Sequence, residues 1–396
     1  MPRFHAPLAA PSPPSLELVH ALAWFAREVL ALDRLFNTVT VKRRRNLARP
    51  VKRRKSAFRD PMICLDLCTM TWLGVTRLSH IETHLRPRQD LARAFGLPRF
   101  CDHTTAHNFL NAFHRTHVRQ LDDVNARLLI AHGQALSERA PILDLDLATR
   151  SVRHVARRRR SERYRWAVAF CAGEAIAQRL ALERAGAEVL PGLVLDLAAA
   201  ARRRLARKPR LVRLAGTCAS AQVVRALARE RLPFLTTTTW AWALAQGPER
   251  HGPVRWAAPD PEHRVLDLGA AAGLAGVRQP LRVVLVERAA LAPGLRRDRF
   301  AIVTSLADEP PASLLPMALY QSTIRGFFGH PRWPLGDGKL PSSGPRGIEA
   351  YLHLATIARN VLGLFARHLA EEWSLSRLRD RLRVAPAPLG AAAPRG

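Results

Sequence analysis

The sequence predicts an α/β fold: a mixed-sheet core carrying a β-rich insertion, preceded by an all-helical N-terminal domain. Three observations carry this prediction. Residues 61–140 place apolar side chains at helical spacing. After Arg139-Ala140-Pro141 the pattern changes to short apolar and alternating runs in the order β-β-β-α-β-α-β, an antiparallel start followed by crossovers. Residues 241–300 then alternate short strands with Gly- and Pro-rich turns. At 396 residues the chain has room for about two to three folded units.

Taken in order, residues 1–14 read as disordered, with prolines at Pro11, Pro13 and Pro14. Leu16 to Phe36 carries Leu18, Leu22, Phe25, Val29 and Leu30 on one helical stripe. Two basic runs follow on either side of Pro50. Their residues Arg43, Arg44, Arg45, Lys52, Arg53, Arg54 and Lys55 are candidate phosphate contacts, with a solvated tract as the alternative. Met62 to Trp72 is an apolar helix, and Gly74 marks a turn. Ser79 opens a second helix, with Glu82 completing a capping box. Arg88 to Phe95 is a short helix closed by Gly96 and Pro98. Thr104 or Thr105 caps a longer one bearing Phe109, Leu110, Phe113, Val118, Leu121 and Leu128, with His103, His107, His114 and His117 on its exposed side. A short helix, a glycine turn and a second helix also fit a helix-turn-helix, a weak signal in a helical bundle.

The strands expected next are Ile142 to Val152, Tyr164 to Ala172 and Ala175 to Leu182, the first two joined by a loop holding Arg157 to Arg160. Leu193 to Leu205 is a helix, Leu211 to Leu214 a strand, Ala221 to Glu230 a helix capped by Ser220, and Phe234 to Trp240 a strand. Val265 to Leu268, Arg282 to Glu287 and Phe300 to Leu306 are strands, while Leu314 to Phe328 and Ile348 to Leu369 are helices. The expected division is a basic arm (1–60), a helical DNA-binding domain (61–140), a core (141–370, with the insertion at 241–300) and a tail (371–396).

The totals narrow the partners. There are 62 Lys and Arg against 32 Asp and Glu, a formal charge of +30. Such an excess favours a polyanion, nucleic acid first. No run reaches the ~18 apolar residues of a membrane span, and the N-terminus lacks a signal-peptide core. The expected location is cytoplasmic and nucleoid-associated, with no membrane partner. Five cysteines in so long a chain make no disulfide framework. Cys64, Cys68, Cys101 and His103 match no usual zinc spacing, and buried free thiols are the expected state.

The chemistry centres on the strand from Ile142 to Thr149. Leu143, Leu145 and Leu147 share one face and Asp144 and Asp146 the other, their Cα atoms about 6.7 Å apart. Two acids inside an apolar run must be solvated, paired or bound to a cation.

This strand resembles the first catalytic strand of the DDE transposases of bacterial insertion sequences, a ribonuclease-H-like superfamily. Four further stretches are similar to that family in the same order. They are Leu91 to Leu110 (the helical domain), Val212 to Leu227 (the second catalytic strand and its helix), Ala301 to Tyr320 (the approach to the third catalytic helix) and Arg346 to Asn360 (the closing helix). The resemblance implies a ribonuclease-H-like core, double-stranded DNA with terminal inverted repeats as partner, and cut-and-paste phosphoryl transfer with Mg²⁺. It is compatible with a homodimer. It implies Asp146 as a catalytic metal ligand, with Asp144 as the alternative, and Arg213 and Arg332 as phosphate contacts. Where the family carries its second and third acids, this chain carries Ala215 and Arg325. A methyl group binds no metal and a guanidinium repels one, so the expectation is a transposase-like DNA-binding protein with impaired catalysis, or an inactive relative retained for binding.

A different class competes. Val265-Leu266-Asp267-Leu268-Gly269 through Gly273 resembles the strand and glycine loop of S-adenosylmethionine-dependent methyltransferases, with Glu287 as the ribose-binding acid. Only six residues, Leu274 to Gln279, precede Pro280, too few for a crossover helix of ten or more residues.

Overall fold

The computed structural model describes residues 16–41, 58–153, 161–183, 189–216, 218–239, 256–271, 281–288, 299–319, 344–369, 378, 381 and 382. In chain order these form α1 (Leu16–Trp24), a π-helical turn (Phe25–Val29), α2 (Leu32–Phe36), α3 (Asp60–Trp72), a 3-10 turn (Leu78–His80), α4 (Ile81–His84), α5 (Gln89–Ala94), α6 (His103–Asn111) and α7 (Arg115–His132). The sheet region follows with β1 (Ile142–Arg153), β2 (Ser161–Cys171), β3 (Glu174–Leu182), α8 (Val189–Leu205), β4 (Leu211–Leu214), α9 (Ala221–Arg229) and β5 (Phe234–Thr238). It ends with β6 (Ala257–Asp260), β7 (His263–Ala271), β8 (Leu281–Arg288), β9 (Arg299–Thr304), α10 (Pro311–Leu319) and α11 (Pro345–His368).

The chain divides into two units, one of residues 1–134, 150–162 and 330–396, the other of residues 135–149 and 163–329. In the first, α3 is buried from Ile63 to Trp72 without a polar face, so it must be covered on every side. Pro61 sits at its start, where a missing N–H costs nothing. The long α11 is buried nearly all round as well and packs against α3, α6 and α7. The Trp72 indole donates to the carbonyl of Ala358 at 2.8 Å, and Asn360 Nδ2 donates to Asn125 Oδ1 at 2.8 Å. This burial groups α11 with the helical unit, whereas the sequence places it at the end of the core, residues 141–370.

Four local expectations in this unit need correction. Leu16 to Phe36 is not one helix: Ala31 takes a left-handed conformation (φ 46°), which ends the hydrogen-bond ladder before α2. Asp102, not Thr104 or Thr105, caps α6, its carboxylate accepting from the Thr105 N–H at 2.7 Å and the Thr105 hydroxyl at 2.9 Å. That segment also breaks before Arg115, where His114 and His117 form the capping box of α7, so His117 is buried rather than exposed. Ser79 lies in the 3-10 turn, and Glu82 accepts from Arg86 and from His103 instead of closing a box.

The second unit carries a nine-stranded mixed sheet, counted over the described residues, in the order β3-β2-β1-β4-β5-β9-β8-β7-β6. β4 runs parallel to both β1 and β5, and β9, β8, β7 and β6 add on as antiparallel neighbours beyond β5. The β-rich stretch is therefore an extension of the same sheet. β4 is buried at all four positions, as a central parallel strand covered on both faces should be. Helices α8 and α9 supply the crossovers into β4 and β5, and Ser220 caps α9 by accepting from Val223 N–H at 3.2 Å. Leu211, Leu235, Val284, Ile302, Leu314 and Leu315 share one core beneath the middle of the sheet. Gly269, at φ +66°, sits where the β7–β8 register shifts, a bulge that keeps β7 running to Ala271.

Candidate functional site

The two acids of β1 are both buried, and they meet different fates. Parallel pairing sets Asp144 beside Arg213 of β4. Arg213 Nε donates to Asp144 Oδ1 at 2.5 Å and Nη2 to Oδ2 at 2.6 Å, a fork in which both carboxylate oxygens are used. Its third nitrogen, Nη1, donates to the Met317 carbonyl of α10 at 3.2 Å. One guanidinium thus ties two strands and a helix together. Burial lifts the Asp144 carboxyl above its ordinary value, while Arg213 pulls it back down. Arg213, expected as a phosphate contact, is instead enclosed and committed to protein acceptors, and that expectation is withdrawn.

Asp146 lies two residues on along β1. Its Oδ1 accepts from the N–H of Leu147 at 2.7 Å. Across from it, Ala215 N–H donates to the Leu145 carbonyl at 2.9 Å, which carries the β1–β4 pairing one residue past Leu145↔Leu214 and brings Ala215 to the level of Asp146. The methyl of Ala215 is buried there, where the family resemblance expects an acid. Arg325 lies outside the described residues, as do Arg43, Arg44, Arg45, Lys52, Arg53, Arg54, Lys55 and Arg332.

Magnesium asks for several hard oxygen donors in near-octahedral array, and a two-ion site asks for acids that bridge both ions. Among the described residues no three His, Cys, Asp or Glu side chains converge on a metal position. Both oxygens of Asp144 are already held by a cation and Ala215 offers none, so the described donor set does not fit a pair of Mg²⁺ ions.

The methyltransferase reading also meets a correction. β7 lies antiparallel to β8 and runs through Gly269 as a strand, so no cofactor-binding turn opens at that glycine. Asp267 is paired with Arg282 at 2.6 Å, and the buried Glu287 is shared by Arg264 and Arg299. These acids brace the extended sheet.

Sequence reading passed over two features. Asp66, in the apolar run of α3, is buried with Cys64, Cys68 and Cys101, all free thiols. Its Oδ2 accepts from Cys101 N–H at 2.8 Å, while its Oδ1 has no hydrogen-bond partner among the described residues. Burial pushes its carboxyl up to about 7. The signal was an acid in a helix with no other polar face. The second feature is a cavity of about 630 Å³ between the end of α8, the segment after it and the end of α9. Asp196, Arg202, Arg203, Arg207, Lys208 and Glu230 are among its lining residues; Asp144 and Asp146 are not. The crowding of cations at residues 202–208 was its signal. No helix among the described residues is long and apolar enough to cross a membrane.

No protein-family model matches the chain, and no curated protein does. Among solved structures, a piggyBac transposase synaptic complex with hairpin DNA, seen by cryo-EM, is similar at 12% identity, over 96% of this chain and 80% of that one, with a TM-score of 0.38. A likeness at that level carries no argument about function.

Proposed function

We propose that the chain is a DNA-binding protein of ribonuclease-H-like, DDE-transposase-like architecture in which the acidic strand is an ion-paired structural element rather than a working two-metal centre. The observation that carries this reading is the Asp144–Arg213 fork with Ala215 beside Asp146. The sheet order β3-β2-β1-β4-β5, with β1, β4 and β5 mutually parallel and acids on β1, supports the architecture. The charge of +30 supports the polyanionic partner. Under this reading the partner is duplex DNA, terminal inverted repeats of an insertion sequence in the first instance, bound in the nucleoid by one copy or a homodimer. Asp146 is the residue left with a carboxylate where the family binds metal, and Mg²⁺ has no catalytic part.

The test is incubation of the purified protein with a terminal-repeat duplex in Mg²⁺ or Mn²⁺. The expected result is a retarded complex without strand cleavage. Metal-dependent nicking that disappears in Asp146→Ala would show that an active centre assembles after all.

A further inference from the structure

We infer that the cleft between α8 and α9 is a docking site for the phosphodiester backbone of duplex DNA. The choice of duplex rests on the DNA-binding reading above; the choice of phosphate rests on the cleft itself.

Four cations line the cleft: Arg202 and Arg203 from the last turn of α8, and Arg207 and Lys208 from the segment after it. All four are exposed. Arg207 is held in place by donating to the Glu138 carbonyl at 2.8 Å, which leaves its charge uncompensated. Among the described residues Arg202, Arg203 and Lys208 make no ion pair. The carboxylates of Asp196 and Glu230 offset only part of this charge. Cations in the last turn of a helix are commonplace, because they complement its dipole. That bland account covers Arg202 and Arg203 but not Arg207 and Lys208, which lie beyond the helix. Ala206, in the left-handed conformation at φ 51°, terminates α8 and turns those two residues back to the same cavity.

The lining also says what the ligand is not. Among the described residues it holds no aromatic side chain on which a base could stack. Here Ala198, Ala199 and Ala206 form part of the wall, and small side chains let a bulky sugar–phosphate chain come close. Four cations lining one cleft suit the phosphates of a backbone lying across it, read without regard to sequence.

The experiment uses the full chain, a fluorescein-labelled duplex of arbitrary sequence and anisotropy titrations over a range of KCl concentrations. Replacing Arg202, Arg203 and Lys208 together by Gln should flatten the slope of log K against log salt by about 2.7, at about 0.9 per phosphate contact. R202K/R203K, which keeps both charges, should retain the wild-type slope. All three positions are on the surface, and an unchanged thermal melt verifies folding. An unchanged slope in the Gln variant, with the wild type binding duplex normally, overturns the cleft assignment and leaves the DNA-binding reading standing. Failure of the wild type to bind any duplex overturns both. Binding of ATP or a single-stranded oligonucleotide, but not duplex, through the same three residues overturns the choice of occupant.

Discussion

At Asp144 burial and ion pairing act on one carboxylate, and the balance decides what removing either partner does. A buried pair contributes little compared with an apolar replacement, but breaking it strands a charge. Arg213→Ala should therefore cost about 3–5 kcal/mol in urea denaturation, while Asp144→Leu with Arg213→Met costs much less. A loss below about 1 kcal/mol in the single variant would mean that water reaches Asp144 and the fork is not buried in solution. Asp66 gives a pH signature. Burial holds its folded carboxyl at about 7, well above the ordinary carboxylate range, so the folded state holds the proton more tightly. Stability from this group is full below about pH 4 and is lost as pH rises toward 7, by up to about 4 kcal/mol at 1.36 kcal/mol per unit. The thiols of Cys64 and Cys101, which interact with it, are both pushed upward by burial and stay neutral over that range. Asp66→Asn should remove the dependence, measured as unfolding free energy at pH 5 and pH 8. A persistent slope in that variant would assign it to another group.

Among the elements, α6 shows how a cap is chosen. Thr104 and Thr105 are both plausible caps by composition, yet Asp102 holds the position because its two oxygens reach the Thr105 amide and hydroxyl together. Asp102→Ala should lose about 1 kcal/mol in thermal or chemical unfolding. Thr104→Ala should lose a few tenths at most, a surface-sized effect. Equal losses would mean that the cap is shared. Likewise, the sequence predicts a strand only over Val265 to Leu268, and β7 runs on to Ala271 as one nine-residue strand because Gly269 accommodates the bulge.

For the whole molecule, no three His, Cys, Asp or Glu side chains among the described residues converge on a metal position. A resident metal that bound only the folded state would raise the melting temperature as its concentration rose. Mg²⁺ up to millimolar levels and EDTA should both leave Tm unchanged, as followed by circular dichroism. A Tm that climbs with Mg²⁺ and falls in Asp146→Ala would reveal a site that the described residues do not form.

Local pattern was enough for much of this protein. The alternation of Leu143, Leu145 and Leu147 with Asp144 and Asp146 marked β1, and the three-residue spacing of apolar side chains marked most helices, because each element needs one buried face. That residue 215 is an alanine, which offers a metal no oxygen, was also legible, since it is read directly from the sequence. What sequence could not supply is which side chains meet. Asp144 and Arg213 are 69 residues apart and become partners only through the parallel register of β1 and β4. The same register turns Arg213 from a free cation into a buried clamp. α11 joined the helical unit because its burial demanded neighbours on several sides, a demand that periodicity shows but whose answer only packing decides. Short-range sterics and hydrophobic spacing set the elements of this chain; the long-range pairing of charges, and with it the state of the acidic strand, was decided by tertiary structure.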